Sequence, residues 1–333
     1  MAQMTYLGID VGKDNLVIAR QVLADERAPK AFEVSQCRNE ITQIDSWLHQ
    51  LTSEIDKQSV HIVFEATGNY SHRLAYCLAM ADMAYSLINP KQSHGFATTM
   101  KVVNQNDERD AILLCLYGHK HTPDPTVLAD EHLHQLRQKR HHLTHLMKQK
   151  QAIDNQIHAL GYDPRADNMV YESLLRVKEM LEQQIDVFKN QLFDLDDEQY
   201  QQIYKKLITI TGIGDASASA LIIATNGFKD FDNVKQVCKF LGTIPNSKES
   251  GISVKKKGHI IKSGVPYVRA TLYCAAKSAA RFNRACKELY QRLRKKGKCH
   301  KVAMIAVVNK LIKQAFAIVK NNIVFDNNFA YAK

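Results

Sequence analysis

Two hydrophobic periods divide this chain. Over the first 110 residues the apolar positions come in short runs bounded by turn residues, the mark of strands. Tyr6-Leu7-Gly8-Ile9 and Leu16-Val17-Ile18-Ala19 flank the polar segment Asp10-Val11-Gly12-Lys13-Asp14-Asn15, which predicts a hairpin. Val60-His61-Ile62-Val63-Phe64 is a third strand, followed by the turn signal Thr67-Gly68-Asn69. Tyr85-Ser86-Leu87-Ile88 is a further one, stopped by Asn89-Pro90. A helix-period stretch from Ile41 to Leu51 lies between the hairpin and the third strand. Strands interleaved with helices predict a layered α/β unit around a mixed sheet.

From about residue 130 the period changes. Leu136, Leu143 and Ile157 stand at multiples of seven, as do Leu146, Ile153 and Leu160. Beyond Gly161-Tyr162-Asp163-Pro164 a second series runs Leu174, Val177, Leu181, Ile185, Phe188, Leu192, Leu195. Steps of three and four are a coiled-coil seam, so two long helices broken at Gly and Pro predict an antiparallel hairpin or a dimerising arm. His141 and His145 share a helix face, but no acid follows at ligand spacing, so solvated or phosphate-facing histidines fit better than a metal site. Residues 205–320 read as helical. There Leu207-Ile208-Thr209-Ile210-Thr211, the turn Gly212-Ile213-Gly214 and the small-residue run after Asp215 predict a helix-hairpin-helix, whose Gly212 and Gly214 would offer backbone N–H groups to a phosphate.

Charge sharpens this picture. The 333 residues carry a net +11, with 45% hydrophobic and 24% charged residues, ordinary for a globular protein. Between Gly251 and Lys313, however, seventeen Lys and Arg face one acid, Glu288, for +16, and the rest of the chain is net −5. Charge segregated in this way predicts a polyanionic partner. Its candidate contacts are Lys255, Lys256, Lys257, Lys262, Arg269, Arg292, Arg294, Lys295, Lys296 and Lys298. Tyr267 and Tyr273 are stacking or packing residues. The seven scattered cysteines form no CxxC pair and predict free thiols in a reducing cytoplasm. No apolar run comes near the ~20 residues of a membrane span, the N-terminus lacks a signal-peptide pattern, and Met304–Val319 reads as a core helix. A cytoplasmic, nucleoid-associated protein without a membrane partner follows.

The candidate chemistry lies in four acids. Asp10 closes the first strand and Glu65 the third, so neighbouring parallel strands would set two carboxylates side by side. Asp107 and Asp110 stand at i, i+3 in the first turns of a helix, on one face. Four such acids repel one another unless divalent cations neutralise them, and oxygen ligands suit Mg²⁺ or Mn²⁺. Two such ions about 4 Å apart would clamp a phosphodiester. Any single aspartate here would more readily be a turn or cap residue; the set of four in these strand contexts points to metal.

Tyr6-Leu7-Gly8-Ile9-Asp10-Val11, Phe64-Glu65-Ala66-Thr67-Gly68-Asn69-Tyr70, Asn89-Pro90 and Asn106-Asp107-Glu108-Arg109-Asp110-Ala111 resemble, in order, the RuvC-like (RNase H-like) DEDD domain of the IS110 insertion-sequence transposases and the related Piv/MooV-type DNA invertases. Thr211-Gly212-Ile213-Gly214, Phe240-Leu241-Gly242-Thr243-Ile244-Pro245, Ser250-Gly251, Gly258-His259-Ile260-Ile261-Lys262-Ser263-Gly264 and Lys301–Ala306 resemble their second, transposase domain. The resemblance implies three parts: a catalytic α/β domain over 1–125, a coiled-coil helical hairpin over 126–200, and a mainly α domain over 201–333 with the basic surface. It implies that Asp10, Glu65, Asp107 and Asp110 hold the metal and that a C-terminal serine is the nucleophile. The residues alone leave Ser247, Ser250 and Ser253 open; the resemblance selects Ser250, although Lys248-Glu249 and Ile252 replace the small polar neighbours of many family members. It further implies DNA as substrate, an element-encoded guide RNA as an additional partner, and a dimer or tetramer through the coiled coil, with one protomer giving carboxylates and another the serine.

Two other functions fit the same residues less fully. One is a metal-dependent junction endonuclease in which water attacks and no covalent intermediate forms. The other is a non-catalytic nucleic-acid-binding protein with structural acids.

Overall fold

The computed structural model describes residues 4–22, 31–100, 106–193, 197–246, 249–250, 254–255, 259–260 and 264–328, which fall into two compact units, 1–129 and 130–333. The first is built on strands β1 (Thr5–Val11), β2 (Asn15–Val22), β3 (Ala31–Arg38), β4 (Val60–Glu65) and β5 (Ala84–Ile88). Their order is β3-β2-β1-β4-β5, antiparallel from β1 to β3 and parallel from β1 through β4 to β5. Helices α1 (Ile41–Glu54), α2 (Asn69–Met80), α3 (Pro90–Thr99) and α4 (Asp107–His121) complete it. This is the mixed α/β class that the strand pattern predicts.

Strand alternation assigns the two sheet faces. Leu7, Ile9 and Val11 of β1 and Val60, Ile62 and Phe64 of β4 join Ile44 and Leu48 of α1 and Leu74 and Leu78 of α2 in one core. Each such buried side chain contributes about 1.5–3 kcal/mol of transfer free energy. The opposite parity, Tyr6, Gly8 and Asp10 on β1 and Val63 and Glu65 on β4, turns to the other face, where Tyr6 and Val63 pack with Leu114 of α4. A Cβ on Gly8 would lie 2.1 Å from the Ala111 carbonyl oxygen and 2.2 Å from the Cys115 nitrogen, so α4 rests directly on the β1 backbone. The Cys115 thiol donates to the Tyr6 carbonyl at 3.0 Å along the same line.

β3 has no counterpart in the sequence reading. It pairs with all of β2 at the sheet edge, but most of its described side chains are exposed, Val34 included. An edge strand with little burial leaves no hydrophobic alternation to read.

The second unit opens on two long helices, α5 (Glu131–Leu160) and α6 (Asn168–Phe193), packed against each other. Leu136, Leu143, Leu146, Ile185 and Leu192 of the seven-residue series are buried, and Leu174, Val177, Leu181 and Phe188 are half-buried. Lys150 bonds Asp154 at 2.8 Å and Glu182 at 3.2 Å, and Lys178 reaches Asp154 at 3.0 Å, which ties the pair across its surface. Helices α7 (Glu198–Leu207), α8 (Asp215–Thr225), α9 (Val234–Phe240), α10 (Pro266–Phe282), α11 (Arg284–Lys295) and α12 (His300–Lys320) follow. The run Leu207–Thr211, read as helix, is mostly the turn between α7 and α8; β-branched Ile and Thr favour helix weakly. Between α9 and α10 two short strand pairs form, β6 (Pro245–Asn246) with β9 (His259–Ile260) and β7 (Glu249–Ser250) with β8 (Val254–Lys255).

By length and composition α12 could cross a membrane, a point the run-length reading passed over. Its apolar stripe, Ala303, Met304, Val307, Val308, Leu311, Ile312, Ala315 and Ile318, is buried within the unit. All seven cysteines are free thiols.

Candidate active site

Asp10 and Glu65 stand at the ends of adjacent parallel strands, one residue beyond the Ile9–Phe64 pair, and strand parity turns both towards α4. α4 begins where it does because the Asn106 side chain accepts from the Arg109 backbone N–H at 2.9 Å, a helix cap. Asp107, Glu108 and Asp110 fill its first turn, where negative charge complements the helix dipole. The contact at Gly8 fixes the helix against the strand, so its first turn lies by the end of β1.

Electrostatics shows the outcome. Asp10 is pushed up to about 6, by burial first and then by Asp107, Asp110 and Glu65. Asp110 is raised by burial, Asp107 and Glu65. Asp10 thus feels the other three acids, and Asp110 feels Asp107 and Glu65. Ion pairs among the described residues of this unit include Arg20–Glu33, Arg20–Glu54, Arg38–Glu40 and Lys57–Asp82, away from these acids. A groove of about 450 Å³ opens here, lined among others by Asp10, Glu65, Asp110, Ser93, His94 and Tyr117.

Oxygen donors that repel one another in this way fit a hard divalent cation such as Mg²⁺ or Mn²⁺. The fit is one of donor chemistry and charge: among the described residues no three His, Cys, Asp or Glu side chains form a ready ligand set.

Ser93 was missed by sequence reasoning. Its hydroxyl lies 2.7 Å from Glu65 Oε2 and 3.0 Å from the Pro90 carbonyl. The available signal was Asn89-Pro90, a helix start directly after a strand: β5 runs parallel to β4, so the first turn of α3 falls at the sheet edge where Glu65 ends.

The remaining predicted residues all belong to the second unit. Ser250 lies on β7 with its backbone opposite Val254, and Lys255 is opposite Glu249. The side chains of these two, and Ser247, Ser253, Lys256, Lys257 and Lys262 altogether, lie outside the described residues. Gly212 has φ 105°, and a Cβ there would lie 2.7 Å from that of Ala279, so it serves the approach of the turn to α10. Gly214 is exposed at the start of α8. Arg269 is partly buried and donates from Nη1 to the Leu241 carbonyl at 3.0 Å. Arg292, Arg294, Lys295, Lys296 and Lys298 are exposed on the end of α11 and the turn after it.

Comparison with known proteins agrees in both halves. Residues 7–160 match the transposase family model of the IS110 DEDD type, and residues 204–291 match that described as the transposase IS116/IS110/IS902 family. The chain is 27% identical to the pilin gene-inverting protein of Moraxella bovis over 97% of this chain and 98% of that one. Identity and coverage are the same for its counterpart in Moraxella lacunata. Among solved structures, Thermus thermophilus RuvC matches 37% of this chain and 100% of its own, at 11% identity and TM-score 0.28.

Proposed function

The chain belongs to the IS110 family of transposases and recombinases, Piv-type invertases included, and from that premise of a DNA-recombination enzyme we propose that it cuts and rejoins DNA strands with its four clustered carboxylates and Ser250. The observation that carries the reading is the groove lined by Asp10, Glu65 and Asp110, in which Asp107 and the other acids hold the carboxyls of Asp10 and Asp110 above their usual range. Full-length likeness to gene-inverting proteins supports inversion as the first reaction to assay.

In this reading Asp10, Glu65, Asp107 and Asp110 hold Mg²⁺ or Mn²⁺. A divalent ion bound there would polarise the phosphodiester and stabilise the leaving oxygen. The chain's own residues do the rest. The Ser250 hydroxyl attacks phosphorus, an O–P bond forms, and its proton passes to a neighbouring base. The P–O bond to one DNA strand breaks, and that strand leaves as a hydroxyl end. Attack by a hydroxyl end on the phosphoserine reverses the step and rejoins DNA. Exposed Arg292, Arg294, Lys295, Lys296 and Lys298 bind phosphates along the strand, and a guide RNA would meet the same basic surface. The α5–α6 pair serves as a coiled-coil arm for a dimer or tetramer. Met169, Val170, Tyr171 and Leu175, exposed near its tip, support an assembly there.

The test is the covalent adduct. A suicide DNA substrate is expected to trap protein bearing a phosphodiester at position 250, read by peptide mass mapping. Ser250→Ala loses adduct and recombination while still binding DNA. An adduct at Ser247 or Ser253, or cleavage that persists in Ser250→Ala, overturns the assignment; the latter outcome is the one a water-using junction endonuclease gives. Mixing Asp10→Asn with Ser250→Ala chains restores recombination where protomers share a site.

Ser93 gives a second measurable effect. Removing one hydrogen bond to a charged partner costs about 1 kcal/mol or somewhat more. Ser93→Ala should therefore need roughly fivefold more Mn²⁺ for its half-maximal rise in melting temperature, and Ser93→Thr should stay near wild type. An unchanged metal titration in Ser93→Ala would remove Ser93 from the site.

A further inference from the structure

Outside the carboxylate groove, Arg140 is a partly buried cation of the second unit on which no acid among the described residues bears. Arg140 lies on α5 with its guanidinium 4.5 Å from the ring centre of Tyr267, in the first turn of α10. The residue is partly buried, and its Nε is enclosed with no hydrogen-bond acceptor. Burial lowers its pKa, and Tyr267 alone opposes that shift. Ion pairs among the described residues of this unit lie along the α5–α6 hairpin and at Arg284–Glu288. One turn earlier on α5, exposed Arg137 donates from Nε to the Ile223 carbonyl at 3.2 Å. The Tyr267 hydroxyl is raised by burial and lowered by Arg140 and then Arg137, so both guanidinium groups bear on it. Arg137 also bears on Tyr200, beside Asp130 and Asp197, which leaves Arg140 the less compensated of the two. α10 starts with no side-chain cap and no acid in its first turn, so its positive end adds to the field.

A partly buried guanidinium whose enclosed Nε lacks an acceptor is costly for a fold to keep. A phosphate supplies what is missing: two oxygens for the planar fork of Arg140 and an acceptor for the tyrosine hydroxyl. Tyr267 stands inside the +16 stretch from Gly251 to Lys313, which favours a chain of phosphates over a single small anion.

We infer that Arg140 and Tyr267, flanked by Arg137, bind a backbone phosphate of the DNA strand that the recombinase handles. The site rests on the DNA reading of the previous subsection and adds to the basic stretch two arginines of α5 that lie outside it in sequence.

The probe is a 30-base-pair labelled duplex, titrated by fluorescence anisotropy from 50 to 300 mM NaCl, with single-stranded DNA and RNA of the same sequence as parallel arms. Arg140→Gln should bind duplex about tenfold more weakly, and its salt slope should fall by about 0.9, the value for one lost phosphate contact. Arg140→Lys should keep most of the slope but not the affinity, since it retains charge without fork or stack. Tyr267→Phe, which deletes only the hydroxyl, should lose roughly threefold, the worth of about 0.6–0.7 kcal/mol. Wild-type affinity and slope in Arg140→Gln overturns the site. If that variant unfolds, wild-type affinity in Tyr267→Phe overturns it instead. A defect confined to the RNA arm overturns the DNA assignment. Full recombination by Asp10→Asn would sink the active-site reading and leave the Arg140 measurement standing.

Discussion

Replacing Asp10 by asparagine is expected to abolish strand breakage and to raise the melting temperature of the metal-free protein. Both effects come from the same charge. In the folded chain Asp10 titrates near 6, raised by burial and by Asp107, Asp110 and Glu65, against 3.8 for the free side chain. A carboxyl with a raised folded pKa binds its proton more tightly when folded, so the penalty is absent below about pH 4, grows through pH 4–6, and is complete above that. The shift corresponds to about 3 kcal/mol at about 1.4 kcal/mol per unit, and solvent screening of a part-exposed group brings the expected figure to about 1–2 kcal/mol. Asparagine has the same shape and no charge. At pH 7.5 in EDTA, Asp10→Asn should melt about 3–6 °C higher, and at pH 4 the difference should vanish. Addition of Mg²⁺ or Mn²⁺ should raise the wild-type melting temperature and barely move the variant. Recombination in a plasmid inversion assay should fall by at least about 10³-fold. A variant that recombines normally, or melts lower than wild type in EDTA at pH 7.5, would show that the acids do not share a field.

That pairing of lost activity with gained stability separates a catalytic carboxylate from a structural one. A capping aspartate, like Asp197 on Gln199 at 2.7 Å, loses stability on neutralisation. Asp10 accepts a backbone bond at Val11, but burial and three acid neighbours outweigh it, so neutralisation relieves more than it costs.

The main elements of this arrangement were legible in the residues because strong local signals coincide with it. β1, β2, β4 and β5 each carry an apolar run ended by a polar or turn residue, and α4 carries its acids directly after a capping asparagine. Strand parity then orders Asp10 and Glu65 onto one face with no further information. The seven-residue series of α5 and α6 likewise marks its own buried stripe. What the sequence does not display is set by partners distant in the chain. β3 owes its existence to hydrogen bonds from β2, not to burial. Ser93 matters through Glu65, 28 residues away, and nothing in Lys91-Gln92-Ser93-His94 announces it. Arg269, counted among the DNA-contacting cations by its charge, is tied to the Leu241 carbonyl, whereas Arg140 lies outside the basic stretch and its enclosed Nε has no acceptor.

Gly8 shows how far the site depends on packing away from it, and Gly8→Ala is expected to be the most damaging single methyl group in the first unit. The new Cβ would fall 2.1 Å from the Ala111 carbonyl oxygen and 2.2 Å from the Cys115 nitrogen, both main-chain atoms that no rotamer change can clear. Either β1 bends or α4 lifts off the sheet, carrying Asp107 and Asp110 away from Asp10. Overpacking a core against backbone costs about 1–3 kcal/mol and more where nothing yields, so about 3 kcal/mol or above is expected here. The single tryptophan, Trp47, packs against the core of this unit, and its fluorescence reports unfolding there. The urea midpoint should fall by about 1–2 M, and Mg²⁺ should no longer raise the melting temperature. Gly95→Ala supplies the contrast within the same unit: it lies in helix α3, nothing stands within 4 Å of its added Cβ, and the change should stabilise by about 0.5–1 kcal/mol. If the two variants unfold at the same urea concentration, α4 does not rest on β1 at Gly8, and the convergence of the four acids loses its mechanical support.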